Sequence, residues 1–287
     1  MRKNINTMSY KIVKQALAKL TPEQQTFLKT RKYEGRQTMK QWLELFHGLA
    51  LLDTHGDKIR NKAKNIWIVS LVFFIISLFF VAVVPLILIV SAILLILFIY
   101  FLVIFFKLDK IDLSNHLRLQ VYPFLAAIKD DLNEKEKIQM TLDFSEVVDK
   151  KYLIETIPNT SKRYPKITTR YYKLPYFSAS FTLQDGAEVE FEAEDLVRKR
   201  DITKRGSSGK VKSKVKYKIK HSYDLKIAFP KSRYQYLPGK PLIYNELPEY
   251  HELRLKIKNI SVVLGTIQPP ENLLMIFAAA YQSVRPL

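Results

Sequence analysis

The sequence predicts an α+β membrane protein with N-terminal helices, a two-helix transmembrane hairpin and a mainly antiparallel β domain with flanking helices, built as a sandwich or open barrel. Three observations lead there. Ile66–Phe106 runs for 41 residues without a charged side chain. Apolar residues recur at helical spacing before that run. After residue 137 they alternate with polar ones, the period of a strand.

The elements follow in chain order. Residues 1–64 carry 14 basic and 5 acidic side chains. Thr21-Pro22-Glu23-Gln24 combines an N-cap, a proline at the first helical position and a capping-box partner. Met39, Trp42, Leu43, Phe46, Ala50 and Leu51 then recur as a helical stripe, which suits core packing or a partner-binding face.

A bilayer core about 30 Å thick needs roughly 20 apolar residues per spanning helix, so residues 65–106 suffice for two. Pro85 sits near the centre, lacks an N–H and pushes Val84 out of helical geometry. The expected spans are therefore 66–83 and 86–106, with a turn at Pro85. A single soluble core helix would have to bury every face of 41 residues. The turn has no polar residue to hold it in water, so a re-entrant wedge is the second reading. The run begins far from residue 1 and lacks a small-residue cleavage site, so no signal peptide is expected.

Lys58, Arg60, Lys62 and Lys64 precede the first span, and Lys107, Lys110 and Arg118 follow the second. Basic flanks stay cytoplasmic, which places both the N- and C-terminal parts of this two-span integral membrane protein in the cytoplasm. The hairpin's polar groups are the hydroxyls of Ser70, Ser77, Ser91 and Tyr100. Ser77 and Ser91 are equidistant from Val84 and should face each other, as glue rather than a conduction path.

Residues 107–136 read as an amphipathic connecting helix, with Leu113, Leu117, Val121, Phe124, Leu125 and Ile128 on its apolar face. Residues 137–287 read as the β-rich domain. Its expected strands are 138–144, Lys151–Ile157, Ile167–Leu174, Phe177–Leu183, Glu188–Glu194, Lys210–Lys220, Asp224–Phe229 and Leu253–Ser261. Gln184-Asp185-Gly186-Ala187 is a hairpin turn, and a closing helix starts at Pro270 or Glu271.

The chain holds 46 Lys and Arg against 27 Asp and Glu, a net +19, and no cysteine. That excludes a disulfide scaffold, a cysteine-ligated metal site and an ordinary soluble or disordered chain. The charge is concentrated. Arg198, Lys199, Arg200, Lys204, Arg205, Lys210, Lys212, Lys214, Lys216, Lys218 and Lys220 face one acid, Asp201, in the same stretch. The six lysines from 210 to 220 alternate strictly and should share one strand face. Upstream, Glu188, Glu190, Glu192 and Glu194 alternate the same way.

If Asp195–Gly209 is a connection, four glutamates oppose four lysines in a neutral zipper. Four acids do not cover six lysines, and the connection is itself basic. An anionic partner is expected: lipid headgroups of the bilayer or an acidic protein surface. Lysines kept only to solubilise an edge strand are the bland reading. Nucleic acid is disfavoured, because the lysines alternate with aliphatics and not with a stacking platform.

No catalytic signature is present. His47, His55, His116, His221 and His251 are scattered, with no HExxH. Arg205-Gly206-Ser207-Ser208-Gly209-Lys210 has the wrong glycine interval for a phosphate loop. No dinucleotide fingerprint or GxSxG occurs. The expectation is a membrane-anchored binding or scaffold protein, not an enzyme, without cofactor. The alternative is an oligomeric pore-forming or membrane-disrupting effector with a cytoplasmic sensor domain, so a homo-oligomer stays open.

Overall fold

The computed structural model describes residues 10–80, 84, 86–159, 166–205, 209–238, 243–262 and 269–287. The chain is α+β. In order it forms α1 (Tyr10–Ala18), α2 (Pro22–Thr30), β1 (Lys32–Thr38), α3 (Met39–Phe80), α4 (Ile87–Lys110), a π-helical turn (Leu117–Val121), α5 (Tyr122–Ile128), β2 (Lys137–Asp143) and β3 (Leu153–Asn159). There follow β4 (Lys166–Thr182), β5 (Glu188–Arg205), β6 (Val211–Pro230), β7 (Tyr234–Tyr236), β8 (Ile243–Glu246), β9 (Tyr250–Val262), α6 (Glu271–Tyr281) and β10 (Val284–Pro286). Two compact units result. One joins the chain up to Lys29 with Leu45–Leu113, the other Thr30–Glu44 with Ser114–Leu287.

In the first unit the capping box forms as its residues dictate. The Thr21 N–H donates to Gln24 Oε1 at 3.0 Å, and the Gln24 N–H donates to Thr21 Oγ1 at 3.2 Å. Gln24 Nε2 then donates to the Leu45 carbonyl at 2.9 Å, tying α2 to α3. Two helices, α3 and α4, are long and apolar enough to cross a membrane. Ser77 and Ser91 meet at 2.6 Å between them: one hydroxyl donates to the other, and the one that accepts can donate to its own helix, to the carbonyl of Phe74 or of Ile87. Apart from Val84, the expected turn at Val83–Pro85 lies outside the described residues. Arg60 is held by Asp57 at 2.9 Å, by Asp109 at 3.5 Å and by Asp112. Burial raises the Asp112 carboxyl against the pull of Arg60. This arginine is committed to α4's end and is no longer a free member of the basic flank.

The second unit is one open antiparallel sheet in the order β1-β2-β4-β5-β6-β9-β8, with β3 on β4. Of the two expected forms, sandwich or open barrel, the sandwich is not found among the described residues: β7 and β10 form a separate two-stranded pair, and no second large sheet packs on the first. Two pairs of expected strands are merged, into β4 and β6. One sheet face packs on helices. Phe124 of α5 and Phe277 of α6 meet Phe191 at centroid distances of 5.8 and 6.2 Å. Leu113, Leu117, Val121, Phe124, Leu125 and Ile128 are all buried, as their spacing predicts. Gly186 takes φ +84 in the turn between β4 and β5, the conformation the Asp-Gly step serves.

Sequence reading misses β1. It pairs with β2 over seven residues, from Lys32↔Asp143 to Thr38↔Lys137. Lys32, Arg36 and Gly35 mark it as an edge strand rather than a helix. Just beyond it, Trp42 is fully buried and donates to the Ile138 carbonyl at 3.1 Å.

Candidate anion-binding face

Side chains of directly paired residues lie on the same side of a sheet, so register decides what each charge meets. Strand β5 does not stop at Glu194. It continues through the expected connection to Arg205, and β6 pairs with it along its whole length. Glu190 therefore opposes Lys226, Glu192 opposes Asp224 and Glu194 opposes Ser222. The expected zipper of glutamates against the lysine ladder is absent. In its place stand three like-charged rungs: Arg198↔Lys218, Arg200↔Lys216 and Lys204↔Lys212.

Eight of the eleven basic candidates share this face: Arg198, Arg200, Lys204, Lys212, Lys214, Lys216, Lys218 and Lys220. Lys199 lies on the other, its ammonium 5.9 Å from the Tyr217 ring centroid. Arg205 pairs with Val211, and Lys210 precedes the strand. The tip is solvated on both sides: Lys212, Lys214, Lys216 and Lys218 are exposed, and Val211 on the opposite face keeps 67% of its surface.

The acids near this ribbon are occupied elsewhere. Asp201, on the opposite face, pairs with Arg170. Glu194 bonds Lys173 at 2.6 Å, and Glu190 approaches Lys226 at 3.5 Å. Asp224 holds Arg254 and Lys256 at 2.7 and 2.6 Å. The Arg254 bond, opposed by burial and helped by Lys256, keeps the Asp224 carboxyl down at about 2. Among the described residues, Lys212, Lys214, Lys216 and Lys218 form no ion pair.

Towards the body of the domain the same face becomes a polar trough of about 600 Å³, lined among others by Gln139, Thr141, Ser180, Glu192 and Asn245. Gln139 of β2 and Asn245 of β8 reach one hollow, so the sheet is curled.

On the buried face of the same strands a second cluster forms that sequence reading passes over. His116, just before the π-helical turn, sets Nε2 3.2 Å from Asp195 Oδ2. His221 Nδ1 lies 2.5 Å from Asp195 Oδ1. Asp195 is 5% exposed, His116 9% and His221 2%. Burial alone would raise the Asp195 carboxyl, but the hydrogen bonds from His116 and His221 outweigh it and hold it at about 2. His116 Nδ1 faces Gln120 Oε1 at 3.2 Å, Tyr176 donates to that oxygen at 2.7 Å, and Gln120 Nε2 donates to Tyr223 at 2.6 Å. The histidines are 105 positions apart, so no local motif could reveal them. The legible signal is the single acid, Asp195, at an inward position of β5.

Comparisons with protein families, with characterised proteins and with solved structures gave no match to this chain.

Proposed function

We propose that the protein is a membrane-anchored binding protein whose basic β5–β6 ribbon docks on anionic lipid headgroups at the cytoplasmic leaflet. The observation that carries this reading is the set of three like-charged rungs. Like charges directly opposite one another destabilise a sheet, and the one acid in this stretch, Asp201, lies on the opposite face and is paired with Arg170. An external polyanion removes that repulsion, and each lysine or arginine near an anionic surface contributes about 1 kcal/mol.

Two further features support the anchor. Only 17% and 11% of the most apolar windows of α3 and α4 are buried, whereas the core helix of a soluble protein hides its surface. Strand β1 precedes both helices and β2 follows them, yet they pair. This pairing is compatible with a hairpin whose flanks share one side of the bilayer, and the basic flanks favour the cytoplasmic side. Only Ile111–Leu113 separate α4 from the second unit, so lipid is at high effective concentration around it. The pore alternative gains nothing from the hairpin, whose Ser77 and Ser91 oxygens are spent on each other.

The test uses the full chain, because a fragment starting at Lys107 would lack β1 and bare the edge of β2. In nanodiscs of phosphatidylcholine alone, amides of 198–220 should exchange quickly. With phosphatidylserine added they should be protected, and salt should reverse the effect. Equal protection on both lipids refutes lipid docking, and protection by soluble polyglutamate alone points to an acidic protein partner.

A further inference from the structure

We propose that His116, Asp195 and His221 form a binding site for a divalent transition metal of the Zn²⁺ class, which fastens the segment ahead of α5 to strands β5 and β6. The argument starts from geometry. Three potential ligand residues, distant in sequence, are buried side by side: His116 Nε2 lies 3.2 Å from Asp195 Oδ2 and His221 Nδ1 lies 2.5 Å from Asp195 Oδ1. His116 Nδ1 faces Gln120 Oε1 at 3.2 Å, and the hydroxyls of Tyr176 and Tyr223 hold that amide at 2.7 and 2.6 Å.

The spacing suits a metal ion. Two ligand atoms bound at about 2.0 Å in a tetrahedron lie roughly 3.3 Å apart, close to the His116 Nε2–Asp195 Oδ2 separation. One nitrogen from each histidine and one Asp195 oxygen all lie within 4.8 Å of one another. Two imidazoles and a carboxylate suit Zn²⁺ better than Ca²⁺ or Mg²⁺, which take six or more oxygens or keep their water. Gln120 Oε1, 3.2 Å from the far nitrogen of His116, is placed to orient a metal-bound imidazole, the role a carboxylate or backbone carbonyl usually takes.

Two backbone irregularities converge on the cluster. The π-helical turn Leu117–Val121 starts at His116, and the pairing of β6 with β9 shifts between His221 and Tyr223. Such features are frequent where a side chain is aimed at a functional site. A purely structural core would be served as well by apolar residues of similar volume.

The experiment takes the full, tag-free chain in detergent, stripped with EDTA and desalted. On addition of Zn²⁺ it should retain one ion per chain through gel filtration and unfold at higher temperature. Co²⁺ should give the visible absorption of a four-coordinate site. Asp195→Asn and His116→Gln should each weaken retention at least tenfold, and His47→Gln, at an exposed position, should leave it unchanged. A folded wild-type chain that retains no Zn²⁺ overturns the proposal even where a variant fails to fold; the cluster is then a hydrogen-bonded structural group. Equal retention by wild type and both site variants overturns it too, because the ion is then bound elsewhere.

Discussion

One face of strand β5 carries two opposite electrostatic arrangements a few residues apart. In its first half Glu190 and Glu194 have cations within the sheet, and across the strand Asp224 is clasped by Arg254 and Lys256. In its second half Arg198, Arg200 and Lys204 look across at lysines. The first half carries its own counter-charges at Glu190, Glu194 and Asp224, although Glu192 faces Asp224. The second is self-repelling, which is the property the proposed docking on an external anion rests on. Alternating charge in a sequence therefore says little about partners until the register is known, because a strand that runs eleven residues further changes every pairing.

Experiments can break or sharpen this contrast, and the largest effect is expected in the basic half. Lys212→Glu, Lys216→Glu and Lys218→Glu together should remove about 3 kcal/mol of attraction to phosphatidylserine surfaces, more than ~100-fold in affinity. Vesicle-bridging by full-length proteoliposomes reads this. The same variant should make the ribbon more resistant to amide exchange without lipid, since it converts like-charged rungs to opposite-charged ones. Arg198→Gln with Arg200→Gln should cost about 2 kcal/mol, roughly thirtyfold, in the same assay.

The acidic half should behave differently. Asp224→Asn should lower thermal stability by about 1 kcal/mol, the scale of a screened surface pair network, and leave lipid binding unchanged. A loss of lipid binding there would erase the distinction between the halves. pH separates them as well. A carboxylate held low in the folded state contributes fully above about pH 4, and its contribution is lost as pH falls towards 2. Asp224 and Asp195, both near 2, should therefore make stability fall over that window. Lipid binding by lysine and arginine should stay flat between about pH 5 and 8. The smallest effect belongs to Ser77→Ala with Ser91→Ala, about 0.6 kcal/mol of hairpin stability, read by unfolding in micelles.

Much of the fold is written locally. Ser77 and Ser91 are equidistant from Val84 and do meet. The capping box at Thr21 forms, and the six apolar residues between Leu113 and Ile128 are buried. What is not legible depends on distant partners. The stretch Leu196–Arg205 mixes Leu, Val and Ile with basic residues, so neither alternation nor turn residues announce it as strand, and reading it as a loop misplaces the whole ladder. Strand β1 is short and polar, and only β2, about 100 positions on, reveals it. His116 and His221 meet at Asp195 because of a helical irregularity and a sheet register, neither of which leaves a mark in the sequence.

The pairing of β1 with β2 has a consequence for how the chain is made. The ribosome completes β1 before either apolar helix exists, and its mate emerges only after both have left the exit tunnel. Until then a nascent edge waits bare. Domain closure therefore has to follow synthesis of both apolar helices, and a chain stalled within them cannot finish its sheet.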